Sequence, residues 1–429
     1  MNTTKKIFLL TSAFCLSLSV MAQQSRDDIR KDVSLSGSNY TAYYGPQKQL
    51  SAAPAGYTPY YISHYGRHGS RYLIGTRDYD KAYNILLKAD SANALTPKGK
   101  ETMEKLRLIR DEAKGRDGEL TQRGAEQHKG IAKRMYERFP EVFKGNVTVD
   151  AKSTVVIRCI LSMENALQQL LLMNPALNVK HDASEHDMYY MNFNDRKLNS
   201  QKMPKLAHEK YDAFYSAHSH PDRVMAELFS SGDYVKTNVK ANELMDMLWK
   251  LASNVQSTEL RHHLSLYDLF NEDEVYDQWQ KQNAWWYINY AASPLNGAQQ
   301  PLVQRNLLRK IISEADSCLQ LPHPGATLRY GHEVIVMPLV ALLDLNGYGA
   351  QIEDLEQLDD KGWLNYRIYP MGCNVQFIFY HKNDNDRDPV FKVLLNEDEA
   401  TLPIKAWKGC YYKWSDFREY FLKKLDSYK

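Results

Sequence analysis

The chain has 429 residues, 43% hydrophobic and 25% charged, with 54 Lys and Arg against 52 Asp and Glu. That length and balance fit a large globular protein of two or three domains, or one domain carrying an insertion. A net charge of +2 with no basic stripe gives a nucleic acid nothing to bind, so no nucleic-acid partner is expected.

Residues 1–22 read as a secretory signal peptide. Lys5 and Lys6 precede an apolar run from Ile7 to Met21, and Val20-Met21-Ala22 offers small residues for cleavage after Ala22. The run is 15 residues long, short of a membrane span, and Cys15 after Phe14 does not fit a lipoprotein cleavage site. No other stretch is suited to a bilayer, so an exported protein, periplasmic or secreted, without stable membrane insertion is expected. Cleavage removes Lys5 and Lys6 and no acid, which leaves 52 basic and 52 acidic residues and a net charge of zero. Anion binding must then come from a local cluster. Cys159, Cys318, Cys373 and Cys410 remain, none in C-x-x-C spacing. Export permits up to two disulfides with three pairings, and the sequence chooses neither a pairing nor free buried thiols.

Residues 23–56 are polar and contain Gly, Pro and Ser, and read as a leading arm rather than a core element. The stretch YTPYYISHYGRHGSRYL, residues 57–73, predicts a strand that runs into Arg67-His68-Gly69-Ser70-Arg71. Thr96 as N-cap and Pro97 at the first position predict a helix to about Lys114. Thr121 starts another, with Ile131, Met135 and Phe139 on one side. A strand over 146–151, a helix over 155–173 and a strand over 177–181 follow, and this alternation predicts a parallel α/β sheet. From 183 to 320, helical segments such as 241–256 and 304–320 follow one another without a convincing strand. Strand signals return at 326–330, then a helix over 334–345, β-runs over 375–381 and 390–394, and a closing helix over 415–428. The expected organisation is an α/β core of residues 23–182 and 321–429, split by a helical cap insertion at 183–320.

The loop after the first strand carries the chemistry. Two arginines present forked donors that match phosphate oxygens, and Gly69 permits a tight turn and close anion approach. Fixed positive charge on both sides disfavours a protonated His68. A neutral imidazole there can attack phosphorus while the guanidinium groups stabilise the phosphoryl oxygens. A surface loop with incidental basic residues is the alternative from residue types alone. A second element, Leu328-Arg329-Tyr330-Gly331-His332-Glu333, again follows a strand, and its His-Glu pair offers a phosphate donor and a carboxyl for a leaving oxygen. Alone, that pair also reads as an ordinary helix start.

Together, in this order, these elements resemble the histidine acid phosphatases, the branch of the histidine phosphatase superfamily that includes phytases and multiple inositol polyphosphate phosphatases. Leu120-Thr121 with Gly124 and Gln127 resembles the family's L-T-x-x-G-x-x-Q helix start. STVVIRCILSMENA, residues 153–166, resembles the element that carries a third phosphate-binding arginine, here Arg158. ATLRYGHEVIVMPLVAL, residues 326–342, resembles the proton-donor element, and 374–380 with 390–396 the last strands. The resemblance implies a three-layer, phosphoglycerate-mutase-like α/β core with a mostly parallel sheet and an inserted helical cap. It implies His68 as nucleophile, Arg67, Arg71, Arg158 and His332 as phosphate ligands, and Glu333 as proton donor, with no metal and no cofactor. The implied partner is a small phosphorylated substrate, with inositol polyphosphates such as phytate first. Smaller esters such as sugar phosphates, or a non-catalytic phospho-ligand binding protein, are the competing readings.

Two positions depart from the family pattern. Leu73 stands where Arg-x-Pro would place a proline. Glu333 stands directly after His332, where one branch has His-Asp and the inositol-polyphosphate branch has His-Ala-Glu; its extra methylene moves the acid by about 1.5 Å. Elsewhere, His181, Asp182, Glu185 and His186 are expected to form a solvated loop rather than a metal site. His262-His263 is expected on a polar face, and Trp285-Trp286-Tyr287 in the core of the cap. Lysines and arginines of 183–320 are candidates for the outer phosphates of a large substrate, and the sequence does not say which.

Overall fold

The computed structural model describes residues 24–383, 386 and 388–428, so the expected leader 1–22 lies outside the described residues. Eight strands form one sheet: β1 (Thr58–Arg67), β2 (Thr148–Ser153), β3 (Asn178–Asp182), β4 (Gly325–Gly331), β5 (Asn374–His381), β6 (Val390–Leu395), β7 (Asp398–Ala400) and β8 (Tyr412–Lys413). Their order is β3-β2-β4-β1-β5-β6-β7, with β8 beside β6. The run β3, β2, β4, β1 is parallel, while β5, β6, β7 and β8 pair antiparallel, so five of the eight strands point the same way. β1 lies centrally between β4 and β5, which is why it is buried on both faces from Pro59 to Arg67.

Helices cover both faces. Side chains of a strand alternate between faces, and Ile62 packs with Met135, Met163 and Leu167 of helices Gln122–Arg138 and Ile157–Met173. Tyr61 and Tyr65 point the other way, into a core shared with Ile311, Val336, Leu339, Phe377 and Phe417. A further core joins helices Thr76–Ser91 and Pro97–Ala113 to Ala241–Val255 and Glu272–Tyr290, so it draws on chain from both sides of position 183. Between β3 and β4 the chain is helical, with no strand. Thr96 and Thr121 cap their helices as expected, accepting from the Gly99 and Gly124 amides. Element ends fall within about three residues of those read from the sequence. Cys159, Cys318, Cys373 and Cys410 are free thiols. No helix among the described residues is long and apolar enough to cross a membrane.

The arm is where the structure departs from expectation. Ser36, Gly37, Ser38, Thr41, Ala42 and Tyr43 are buried. Little of this stretch is apolar, and it is held instead by hydrogen bonds: Gln256 to the Ala42 amide, Asn365 to the Ser38 hydroxyl, and the Tyr43 hydroxyl to Glu397.

His64 of β1 and His128 are buried and both pack against Tyr330, at ring separations of 5.2 and 5.5 Å. Burial pushes His64 down to about 3 and His128 to about 4. Both are neutral when folded and take up protons more readily when unfolded. The stability this gives is therefore complete above about pH 6.5 and lost as pH falls toward 4. The loss for His128 alone is roughly 3 kcal/mol by pH 4. Urea titrations at pH 7 and pH 4.5 are expected to show a clearly lower midpoint in acid.

Candidate active site

Parallel strands β1, β4 and β2 end side by side, with Arg67 opposite Gly331 and Ser153 opposite Tyr330. Carboxyl ends of adjacent parallel strands form the crevice where open α/β sheets bind ligands. His68 follows β1, His332 and Glu333 follow β4, and Thr154 follows β2. Arg158 is carried by the first turn of helix Ile157–Met173. All six residues singled out in the sequence converge here.

His68 is buried. Its Nδ1 lies 2.8 Å from the Gly69 carbonyl oxygen. A carbonyl only accepts, so Nδ1 carries the proton and Nε2 holds the free lone pair. Burial, then Arg67, Arg158 and Arg71, hold this imidazole well below its ordinary 6.5. His332 lies edge-on at 5.7 Å between ring centroids, with its Nε2 3.2 Å from the Thr154 hydroxyl. Burial brings it to about 4, opposed by Glu333 and helped by Arg158, Arg67 and Arg71.

The arginines are fixed by backbone carbonyls, not by a ring of acids. Arg67 donates to the Tyr369 and Asn39 carbonyls, both at 2.8 Å. Arg71 donates to Tyr72 O at 2.9 Å and lies over the Tyr40 ring at 5.7 Å. Asn39 and Tyr40 belong to the arm, and their contribution was not read from the sequence. Ser38 before them adopts φ 52°, a left-handed conformation costly for a side-chain-bearing residue and held by Asn365.

Glu333 is the anion that these cations hold. Its Oε2 lies 3.0 Å from Arg67 Nε and 3.8 Å from His68 Nε2. Burial alone would raise its carboxyl, but Arg67, then Arg71 and His332, bring it down to about 2. The acid expected to donate a proton is thus a carboxylate here. It is thereby the anionic partner of Arg67, directly beside the free nitrogen of His68.

The helix that begins at Thr121 shapes the loop. A Cβ on Gly69 would lie 2.4 Å from the Gly124 carbonyl oxygen, and one on Gly124 would lie 2.2 Å from Ser70 O. Two glycines let loop and helix touch. Gln127 then accepts from the Ser70 amide at 2.8 Å, Ser162 from the Gly69 amide at 3.1 Å, and Thr121 N donates to Ser70 O at 2.9 Å. The spaced Thr, Gly and Gln therefore serve as a cradle for the loop. Gly69→Ala is expected to cost about 1–3 kcal/mol of stability and to lower turnover, checked by thermal melting and steady-state rates. Leu73 also has a local reason: its amide donates to the Tyr79 hydroxyl at 2.7 Å, a bond a proline would forfeit.

His68, His332 and Glu333 offer ligand atoms within 4.8 Å of one another, close enough for a metal ion. The three guanidinium groups around them favour an anion over a cation. His181, by contrast, pairs with Glu164 at 2.6 Å, and His181, Asp182, Glu185 and His186 form no ligand cluster among the described residues. Trp286 and Tyr287 are buried as expected, while Trp285 is partly exposed. Both tryptophans line a cavity of about 530 Å³ with Asn39, Tyr40, Arg77 and Lys81, so it abuts the two arm residues that touch Arg67 and Arg71.

The fold recurs in solved phosphatases. The multiple inositol polyphosphate phosphatase of Bifidobacterium longum, solved in complex with phosphate, superposes at a TM-score of 0.75 with 16% identity, over 91% of this chain and 98% of that one. The phytase of D. castellii gives 0.66 at 13% identity, covering 92% and 85%, and that of Hafnia alvei with tartrate 0.54 at 13%, covering 86% and 98%. No curated protein sequence matches the chain. The family model of the histidine phosphatase superfamily (branch 2) matches residues 66–396, which include Arg67–Arg71 and His332-Glu333. The chain belongs to branch 2 of the histidine phosphatase superfamily.

Proposed function

We propose that the protein is an exported phosphomonoesterase that hydrolyses inositol polyphosphates such as phytate through a phosphohistidine on His68. The observation that carries this reading is the fixed tautomer of His68, whose free Nε2 lone pair stands among three guanidinium groups. The phosphatases of the same fold, named for phytate and inositol polyphosphates, support the substrate class. The 530 Å³ cavity is lined by Asn39 and Tyr40, the arm residues that touch Arg67 and Arg71, and in this reading it receives the rest of a bulky substrate. In this reading the helical segment 183–320 caps the site, and residues 1–22 direct export.

Arg67, Arg71, Arg158 and His332 bind the phosphoryl oxygens. Nε2 attacks phosphorus, the P–O bond to the alcohol breaks, and its electron pair goes to the leaving oxygen, which Glu333 protonates. Water, deprotonated by Glu333, then attacks phosphorus; the P–N bond breaks, its pair returns to Nε2, and phosphate leaves.

The proton for the first step has a source. With its carboxyl at about 2, Glu333 meets the substrate ionised. A phosphate monoester carries a proton below its second pKa of about 6. When the phosphate takes over Arg67, the carboxylate loses the partner that held it down, accepts this proton and passes it on. kcat/KM is therefore expected to be highest below about pH 6 and to fall above it, while neutral His68 sets no limit on the acid side. A profile that climbs to pH 8 would contradict this. The function itself is tested by product analysis with phytate in the presence of a chelator. Lower inositol phosphates and inorganic phosphate are expected, and no release would reject the substrate class.

A further inference from the structure

Among the lysines and arginines of 183–320, one stands apart. Arg223, Lys250, Arg261, Lys281, Arg305 and Lys310, all buried or half-buried, each have a carboxylate oxygen within 3.1 Å. Lys202 is half-buried as well and has no carboxylate partner among the described residues. Its Nζ lies 3.9 Å from the centroid of the Tyr290 ring, and Asn296 holds its backbone by donating to Lys202 O at 3.1 Å. A cation on an aromatic face is aimed but not neutralised.

Tyr290 links this lysine to the site. It ends helix Glu272–Tyr290 and stacks on Trp286 at 5.0 Å; Trp286 packs on Tyr369 at 5.1 Å, whose carbonyl holds Arg67. Burial, with the charge of Glu333 adding to it, pushes the Tyr290 phenol up to about 12, so its hydroxyl end lies within the field of that carboxylate. Burial alone lowers the Lys202 ammonium to about 8. An ammonium that has lost water and gained no counter-charge regains that cost when an anion arrives.

We propose that Lys202, seated on Tyr290, binds a second phosphate of the substrate, one that is not being cleaved. This rests on the polyphosphate reading above and names the residue that would favour polyphosphates over monophosphates at the same site. The ring faces the lysine, and its stack through Trp286 and Tyr369 ties it to Arg67, so the second phosphate lies on the Tyr290 side of the site.

Lys202→Met tests it with phytate and p-nitrophenyl phosphate side by side. The KM for phytate is expected to rise about tenfold with kcat within about twofold, while both constants for p-nitrophenyl phosphate stay unchanged and Lys202→Arg restores phytate. In the wild type, the phytate KM is expected to rise above pH 8, a change absent from Lys202→Arg. Equal KM increases for both substrates, or a phytate KM shifted less than twofold, would overturn the proposal. Should the wild type turn over p-nitrophenyl phosphate but not phytate, the substrate reading fails by itself. Calorimetric phytate binding then decides the subsite: affinity weakened about tenfold in Lys202→Met upholds it, and equal affinity rejects it.

Discussion

His68→Ala is expected to lower kcat by about 10⁵-fold or more while phosphate esters still bind. The arginines do not depend on His68 for position: Arg67 is held by Tyr369 O and Asn39 O, and Arg71 by Tyr72 O. Binding and chemistry should therefore separate, with calorimetric affinity for a phosphate ester within about threefold of wild type. Few other groups in the pocket are suited to attack phosphorus. His332 has its Nε2 against Thr154, and the Cys159 thiol, 3.7 Å from that nitrogen, is pushed up to about 12 by burial. Retention of even a hundredth of the wild-type rate would mean that water attacks directly and that His68 only orients it.

Glu333→Gln is expected to cut kcat by about 10²–10⁴-fold for alkyl esters such as inositol phosphates, whose leaving alkoxide needs a proton. For p-nitrophenyl phosphate, whose leaving group is stable as an anion, the loss should stay below about tenfold. The variant should also bind inorganic phosphate more tightly, because it removes the carboxylate that now occupies Arg67 at 3.0 Å. A fall in kcat with tighter binding is the mark of a group that competes with substrate in the ground state and serves it in the transition state. Equal losses for both esters would assign Glu333 to structure rather than to proton transfer. The decline of activity above pH 6 should also weaken, since glutamine cannot relay the substrate's proton.

Strands β1 to β6 and the convergence of the six candidate residues were legible because local signals mark the ends of elements, while the short β7 and β8 were not read. Threonine caps with Pro97, a strand dense in Tyr and Ile, and glycine after histidine mark element ends, and the candidate residues stand at those ends. What escaped is what backbone atoms do. Asn39 holds Arg67 through its carbonyl, which every residue possesses, so no residue type announces it. The arm reads as polar because it is buried by hydrogen bonding rather than by an apolar face. Tyr290 and Lys202 escaped for another reason: their meaning is an absence of counter-charge, which depends on distances between remote segments. Glu333 was found by its position, but its ionisation was not. The charge state follows from Arg67, Arg71 and His332, brought from β1, its loop and the end of β4, and only the fold places them together.

The central claim is a covalent bond between phosphorus and Nε2 of His68. Rapid acid-free quenching of the wild-type enzyme during turnover of a phosphate ester, followed by peptide mass spectrometry, tests it directly. Phosphate is expected on the peptide containing His68, attached at Nε2 because Nδ1 is held by the Gly69 carbonyl at 2.8 Å, and absent from His68→Ala. Full turnover with no labelled His68 peptide, or with the label on another residue, would contradict it.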